Sequence, residues 1–181
     1  MGRDKAFVRW EGQMLLERAL EVVGQVTPNV RIVGARAKFE KYGTVVEDIY
    51  PERGPLGGIH AALRATGTEL NLVLAVDLPH VTPALLEYLV VQAQNSSAAA
   101  VVPRFSEGWQ PLCAVYRKDF ADIAERALRE GQNAVHSLLE SGAPRVLDEV
   151  ELEKAGFSRR MFRNINTSLD LEAGGEPALP R

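Results

Sequence analysis

Asp77 follows Leu72-Val73-Leu74-Ala75-Val76, so a carboxylate comes directly after a continuous apolar run. Strand propensity gives no reason for an acid there, whereas a site at the edge of a sheet does. Similar chemistry recurs along the chain. Lys5 follows Gly2-Arg3-Asp4, the acidic pair Glu47-Asp48 follows Val45-Val46, Asn164 and Asn166 flank Ile165, and Arg53-Gly54-Pro55-Leu56-Gly57-Gly58 leads into an apolar helix. A carboxylate at such an edge can hold Mg²⁺, which takes one or two protein oxygens and completes its shell with phosphates and water. A lysine ammonium is a compact charge suited to a polyphosphate. Glycines let a backbone approach a ligand closely and present amides at a helix N-terminus. Each feature also has a plainer reading. Lys5 fits a solvated terminal lysine, Asp77 a turn or helix-capping aspartate, and the glycine-rich connector a tight turn.

Other chemistries find no support. Cys113 is the only cysteine of the 181 residues, which removes an intrachain disulfide and any multi-cysteine metal site. It reads as a buried apolar residue. The histidines His60, His80 and His136 lack metal-ligand spacing. His60 and His136 read as packing or helix-surface residues, and His80, beside Asp77, as one that could touch substrate. Neither a G-x-G-x-x-G pattern, a Walker lysine nor a serine nucleophile elbow is present. With 21 Lys+Arg against 24 Asp+Glu, the net charge of -3 gives no polycationic surface for nucleic acid. No run approaches the roughly 18 apolar residues of a membrane span, and the charged N-terminus has no signal-peptide core, so the cytoplasm is the expected compartment.

The elements that must position these residues alternate between strand and helix. An apolar helical face runs through Met14, Leu15, Ala19, Leu20, Val22 and Val23, ending at Thr27-Pro28-Asn29. Strands are expected over Val30 to Val33 and at Val45-Val46, with a short polar helix around Lys38 to Tyr42 between them. The segment from Pro51 to Gly58 reads as a loop before a helix through Ile59, Ala62 and Leu63. The run ending at Val76 suits a strand covered on both faces. Thr82 caps a helix with Pro83 at its first position and a stripe of Leu85, Leu86, Leu89 and Val90. A strand from Ala99 to Val102, a turn at Glu107-Gly108 and a strand from Leu112 to Tyr116 suggest a hairpin. Helices follow over Asp119 to Arg129 and Ala134 to Leu139, with late strands at Val146-Leu147 and Phe162 to Ile165. The pattern predicts a three-layer α/β/α fold with a mostly parallel mixed sheet, whose ligands sit beyond the carboxyl ends of its strands. Residues 1–173 are expected to form a single domain, with a loose tail over 174–181.

Met1-Gly2-Arg3-Asp4-Lys5-Ala6, Glu47-Asp48, Gly54-Pro55-Leu56-Gly57-Gly58-Ile59, Asp77-Leu78-Pro79, Gln110-Pro111-Leu112 and Asn164-Ile165-Asn166-Thr167 occur in one order. This order resembles that of the molybdenum cofactor guanylyltransferases, within the wider sugar-nucleotide-transferase-like family, across almost the whole chain. The resemblance implies a Rossmann-like nucleotidyltransferase fold. It also implies Mg²⁺-dependent transfer of GMP from GTP to the terminal phosphate of molybdopterin, with release of pyrophosphate. On the same basis Lys5 faces the phosphates, Asp77 binds Mg²⁺, Asp48 belongs to the nucleotide pocket, Gly54 to Gly58 form the nucleotide-side loop, and Asn166 lies near the pterin and metal. Lys5, Arg3 and the metal would carry the charge neutralisation on which such a transfer depends. Expected partners are GTP and molybdopterin, with molybdoenzymes or other cofactor-biosynthesis proteins downstream, and neither nucleic acid nor membrane.

The chain departs from the family pattern in two places. Family members begin with a strand and a Leu-Ala-Gly-Gly loop, and neither precedes Met1. Because Met1 coincides with a methionine inside the pattern, a start upstream is the expectation and a degenerate copy the alternative. Gly34 stands where guanylyltransferases often carry an asparagine near the base. That keeps open a cytidylyltransferase or another nucleotidyltransferase of this fold, and a noncatalytic cofactor-binding protein is the reading from a different class.

Overall fold

The computed structural model describes residues 4–165. Arg3, Asn166 and the tail over 174–181 lie outside the described residues. The chain enters through a 3₁₀ turn, Lys5–Phe7, whose N-terminus Asp4 caps by accepting from the Ala6 amide at 3.1 Å. This segment, which reads from sequence as a loop, is pinned by burial of Ala6 and by Phe7 stacked on Phe39. A small hairpin follows, β1 (Arg9–Trp10) and β2 (Gln13–Met14), turned by Glu11 and Gly12 at φ 49° and 83°. Positive φ at both turn positions is the geometry that suits the right-handed twist of paired strands.

Next come α1 (Leu15–Val26), β3 (Ile32–Val33), α2 (Arg36–Phe39), β4 (Val45–Val46) and α3 (Gly54–Ala65). They are followed by β5 (Leu70–Leu74), α4 (Pro83–Gln94), β6 (Ala100–Phe105), β7 (Gly108–Trp109) and β8 (Cys113–Arg117). The last elements are α5 (Phe120–Arg129), α6 (Val135–Ser141), β9 (Arg145–Asp148) and α7 (Glu149–Lys154). Thr82 caps α4 as its sequence position suggests, accepting from the Leu85 amide.

The main sheet is organised around β8. It pairs antiparallel with β5 on one edge and with β6 on the other, while β9 lies parallel on the far side of β6 and β7 extends the β6 hairpin. The expectation of a mostly parallel sheet is therefore corrected, since most ladders are antiparallel. The connection from β6 through β7 to β8 is too short for a crossover, so β8 must return antiparallel. It then separates β5 from β6, which run in the same direction, so their carboxyl ends still share one edge. Among the described residues β3 and β4 form a separate parallel pair, with Ile32 opposite Val45.

Helices cover both faces of the main sheet, which makes three layers. Alternation along β8 sends Ala114 and Tyr116 toward α3 and α5, where Leu56, Ile59, Leu63, Ala124 and Leu128 pack. Cys113 and Val115 face the opposite way, against Leu85, Leu86 and Leu89 of α4 and Leu152 of α7. Cys113 is wholly buried, as its sequence context suggests, and burial pushes its thiol up to about 12.

Several expected boundaries move. The helix expected after Gly58 begins at Gly54. The strand before Asp77 spans Leu70–Leu74 and is half-buried along its length, because it is laddered on one edge only among the described residues. β6 runs through Pro103, whose missing N–H falls where the β8 ladder has ended and the β7 pairing begins. The expected strand from Phe162 to Ile165 is absent. Arg159–Phe162 is a 3₁₀ turn, fixed by Phe162 packing at 4.9 Å on Phe105.

Candidate functional site

Lys5 and Asp77, 72 positions apart in sequence, meet with Nζ 2.9 Å from Oδ2. Each half of the pair is delivered by a different part of the fold. The 3₁₀ turn carrying Lys5 is docked through Ala6 among Leu16, Ile32, Phe39 and Val45, and Asp4 ties it further to Lys38 at 3.3 Å. Asp77 lies just past β5 at the carboxyl edge of the sheet. Its carbonyl accepts from the Ile165 amide at 3.0 Å, which brings the segment containing Asn164 to the same edge. The Lys5 side chain is 39% exposed and that of Asp77 18%. The lysine end is open to water, which screens the pair and holds its contribution to the order of 1 kcal/mol, so an arriving polyphosphate can compete for Lys5.

The acidic pair after β4 divides. Glu47 accepts from the Arg36 amide at 3.1 Å and pairs with the Arg36 side chain, serving the start of α2. Asp48 faces α3 instead. A Cβ placed on Gly58 would lie 3.7 Å from Asp48 Oδ1 and 3.4 Å from Val33. Asp48 keeps an exposed face, and partial desolvation on the other raises its carboxyl above the usual carboxylate value.

Gly54, at φ 60°, opens α3, and Pro55 occupies its first turn. Arg53 makes no side-chain cap and no acid lies in that turn, so the first backbone N–H groups are available to an anion. The Leu56 side chain is fully buried in the core, which leaves its amide as what it can offer a ligand. Gly57 is favoured by close contact, since a Cβ there would stand 3.0 Å from the Tyr50 carbonyl oxygen.

Beside this segment lies a cavity of about 510 Å³ lined by Pro55, Trp109, Pro111, Asn133, Val135 and His136. It is bounded by the glycine-rich start of α3 and by the turn following β6, so it opens at the same edge as Asp77. The Tyr116 hydroxyl holds Pro111 in place by donating to its carbonyl at 2.8 Å, and the Arg104 guanidinium stacks 4.7 Å from the Trp109 ring.

His80, three residues after Asp77, meets the edge of the Trp10 ring at 5.0 Å. Arg18 lies over Trp10 at 4.8 Å and donates to the Pro79 carbonyl at 2.5 Å. Burial, followed by the positive charges of Arg160, Arg18 and Arg163, holds the His80 imidazole below its ordinary value, so it is neutral near pH 7. Sequence reasoning reached His80 but missed its setting. The available signal was Trp10-Glu11-Gly12-Gln13, a turn pair flanked by short strands. His60 is a packing residue, 1% exposed, and His136 is exposed on α6.

Among the described residues no three His, Cys, Asp or Glu side chains converge as a metal cage. Asp77 nevertheless fits a cation that draws one protein oxygen and takes the remainder from phosphates and water.

A three-layer α/β/α fold with a lysine, a carboxylate and a glycine-rich helix start at one sheet edge defines a Rossmann-like nucleotidyltransferase. Residues 1–148 match the MobA-like NTP transferase domain, and the chain belongs to that family. It is 30% identical over 168 residues to a probable molybdenum cofactor guanylyltransferase of Clostridium perfringens, covering 91% of this chain and 84% of that one. A molybdenum cofactor guanylyltransferase of Desulfosudis oleivorans is 30% identical over 174 residues, with 94% and 85% covered. Molybdopterin-guanine dinucleotide biosynthesis protein A of Archaeoglobus fulgidus superposes with a TM-score of 0.79 at 30% identity, over 96% of this chain and 89% of that one. These likenesses support MobA-like nucleotidyl transfer.

Proposed function

We propose that this protein transfers GMP from GTP to the terminal phosphate of molybdopterin, with Mg²⁺ as cofactor and pyrophosphate as the second product. The observation that carries this reading is the meeting of Lys5 with Asp77 at 2.9 Å at the sheet's carboxyl edge. An oxygen of the acceptor phosphate attacks the α-phosphorus, the bond from that phosphorus to the bridging oxygen breaks, and pyrophosphate leaves with the electron pair. The protein has little covalent work in such a step, so its contribution is position and charge. Lys5 would face the outer phosphates, and Asp77 would hold Mg²⁺, which when bound would neutralise phosphate charge. The first amides of α3 cradle phosphate oxygens, and Asp48 sits on the nucleotide side. Arg3 and Asn166 are assigned to the phosphates and to the pterin side respectively, by resemblance alone. The cavity beside Trp109 offers an aromatic wall to the acceptor's ring system. The dinucleotide product would pass to molybdoenzymes. We place the reaction in the cytoplasm, in keeping with the absence, among the described residues, of any helix long and apolar enough to cross a membrane.

One feature favours keeping CTP as the competing donor. A Cβ on Gly34 would come within 2.7 Å of the Phe39 ring at a strained φ of 151°, so the asparagine associated with guanine would require Phe39 to move. The test is incubation with molybdopterin, Mg²⁺ and GTP, CTP or ATP in turn, with the dinucleotide separated chromatographically. Formation of the guanine dinucleotide with GTP is the expected result. Product from CTP alone would replace the donor, and no product from any of them would remove the reading.

A further inference from the structure

The connection between β4 and α3 carries Asp48 and reaches the glycine-rich helix start through one unfavourable residue. Glu52 has φ 61°, whereas Gly54 takes φ 60° at no steric cost. A non-glycine residue in this region persists only when its surroundings hold it there. The connection touches α3 directly at Gly57, against the Tyr50 carbonyl, and at Gly58, beside Asp48. Its side-chain anchor is Tyr50. The Tyr50 hydroxyl donates to Glu125 Oε1 at 3.4 Å and accepts from Arg129 Nε at 3.4 Å, both on α5. The ring meets His60 of α3 edge-on at 5.3 Å. Beneath it Glu125 pairs with Arg64, which also binds Asp122 at 2.7 Å and donates to His60 Nε2 at 3.3 Å. His60 is only 1% exposed, so its imidazole serves as the buried wall on which Tyr50 rests.

We infer that Tyr50 is a positioning residue, a clamp that fastens the strained Asp48-to-Gly54 connection to α3 and α5 and so fixes the nucleotide side of the site. The role is independent of which base is selected, but it rests on the nucleotidyl-transfer reading above. Tyr50 touches no reacting atom. It acts through Asp48 and through the first amides of α3, so its loss affects nucleotide binding more than the chemical step.

Tyr50→Phe keeps the ring against His60 and removes both hydroxyl contacts. Expected is a rise in KM for GTP of about 3-fold, with kcat and the KM for the acceptor unchanged, the low end of the hydrogen-bond scale because both contacts are 3.4 Å long. Hydrogen exchange provides the second arm and requires no nucleotide. Amides of residues 48–57 should exchange faster in Tyr50→Phe, while those of β8 stay unchanged. Unchanged exchange over 48–57 would overturn the clamp whatever the protein binds. If the wild type binds no nucleoside triphosphate, the transfer reading falls and the exchange arm still decides the clamp. If it binds GTP and Tyr50→Phe binds equally well, the positioning role falls alone.

Discussion

The β6–β8 half of the molecule and the half containing β3, β4 and the entry turn are built to different standards. Cys113, Ala114, Val115 and Tyr116 are at most 1% exposed, each sealed between helices. On the other side β3 and β4 are two residues long, Val33 is 38% exposed, and Lys5 reaches Asp77 through an open ion pair. The first half holds most of the buried apolar surface, on the order of 1.5–3 kcal/mol per buried leucine. The second holds the charges and turns to which the proposed phosphate contacts are assigned. Asp77 lies where the two meet, so the rigid half fixes one member of the pair and the lightly built half supplies the other.

The sharpest way to break this division is Asp77→Ala, which should lower turnover with Mg²⁺ by at least about 100-fold, on the scale of losing a charge-stabilising group in a transition state. Thermal unfolding should change little, because a pair whose lysine end is open to water contributes on the order of 1 kcal/mol. Full activity in that variant would remove Asp77 from the metal role. Leu89→Ala attacks the other half. It should cost about 2–5 kcal/mol of stability in denaturant unfolding while leaving KM for GTP unchanged below the transition. A change in KM without loss of stability would contradict the division.

Much of the architecture can be read from residue types, and the misses have physical causes. Thr82-Pro83 marks a helix start because side-chain cap and fixed φ act within one turn. The start of α3 is obscured because Gly54, Gly57 and Gly58 have poor helix propensity, although a Cβ at Gly57 would crowd the Tyr50 carbonyl. Phe162 to Ile165 looks like a strand from its aromatic and branched residues, yet Phe162 is claimed by Phe105. The β1–β2 hairpin is too short for periodicity to register. At the site, Asp77 is visible as an acid ending an apolar run, while its contact with Lys5 depends on tertiary closure across 72 positions. The same holds for Tyr50, whose partners lie on α5 and leave no local signature.

Smaller effects sharpen the contrast. Lys5→Ala should weaken triphosphate binding by about 10-fold, roughly the strength of a charge-assisted contact, and monophosphate binding by much less. Equal losses for the two ligands would show that Lys5 does not meet the outer phosphates. Asp48→Asn should be the mildest change to the free protein. Because the folded carboxyl titrates above its unfolded value, its contribution to stability is present at low pH and lost as pH rises through the folded value. The asparagine variant should therefore be slightly more stable than the wild type near pH 7 and equal to it below pH about 4, while binding nucleotide more weakly. Greater stability of the wild type at neutral pH would reverse the assigned sign.

The central claim, that the Lys5–Asp77 edge is a Mg²⁺-dependent nucleotide site, is tested most directly by calorimetric titration of GTP with and without Mg²⁺, into the wild type and into Asp77→Ala. The account predicts saturable binding at one site in the wild type, strengthened by Mg²⁺, and loss of that Mg²⁺ dependence in the variant. Identical isotherms for the two proteins, or an affinity indifferent to Mg²⁺, would contradict it.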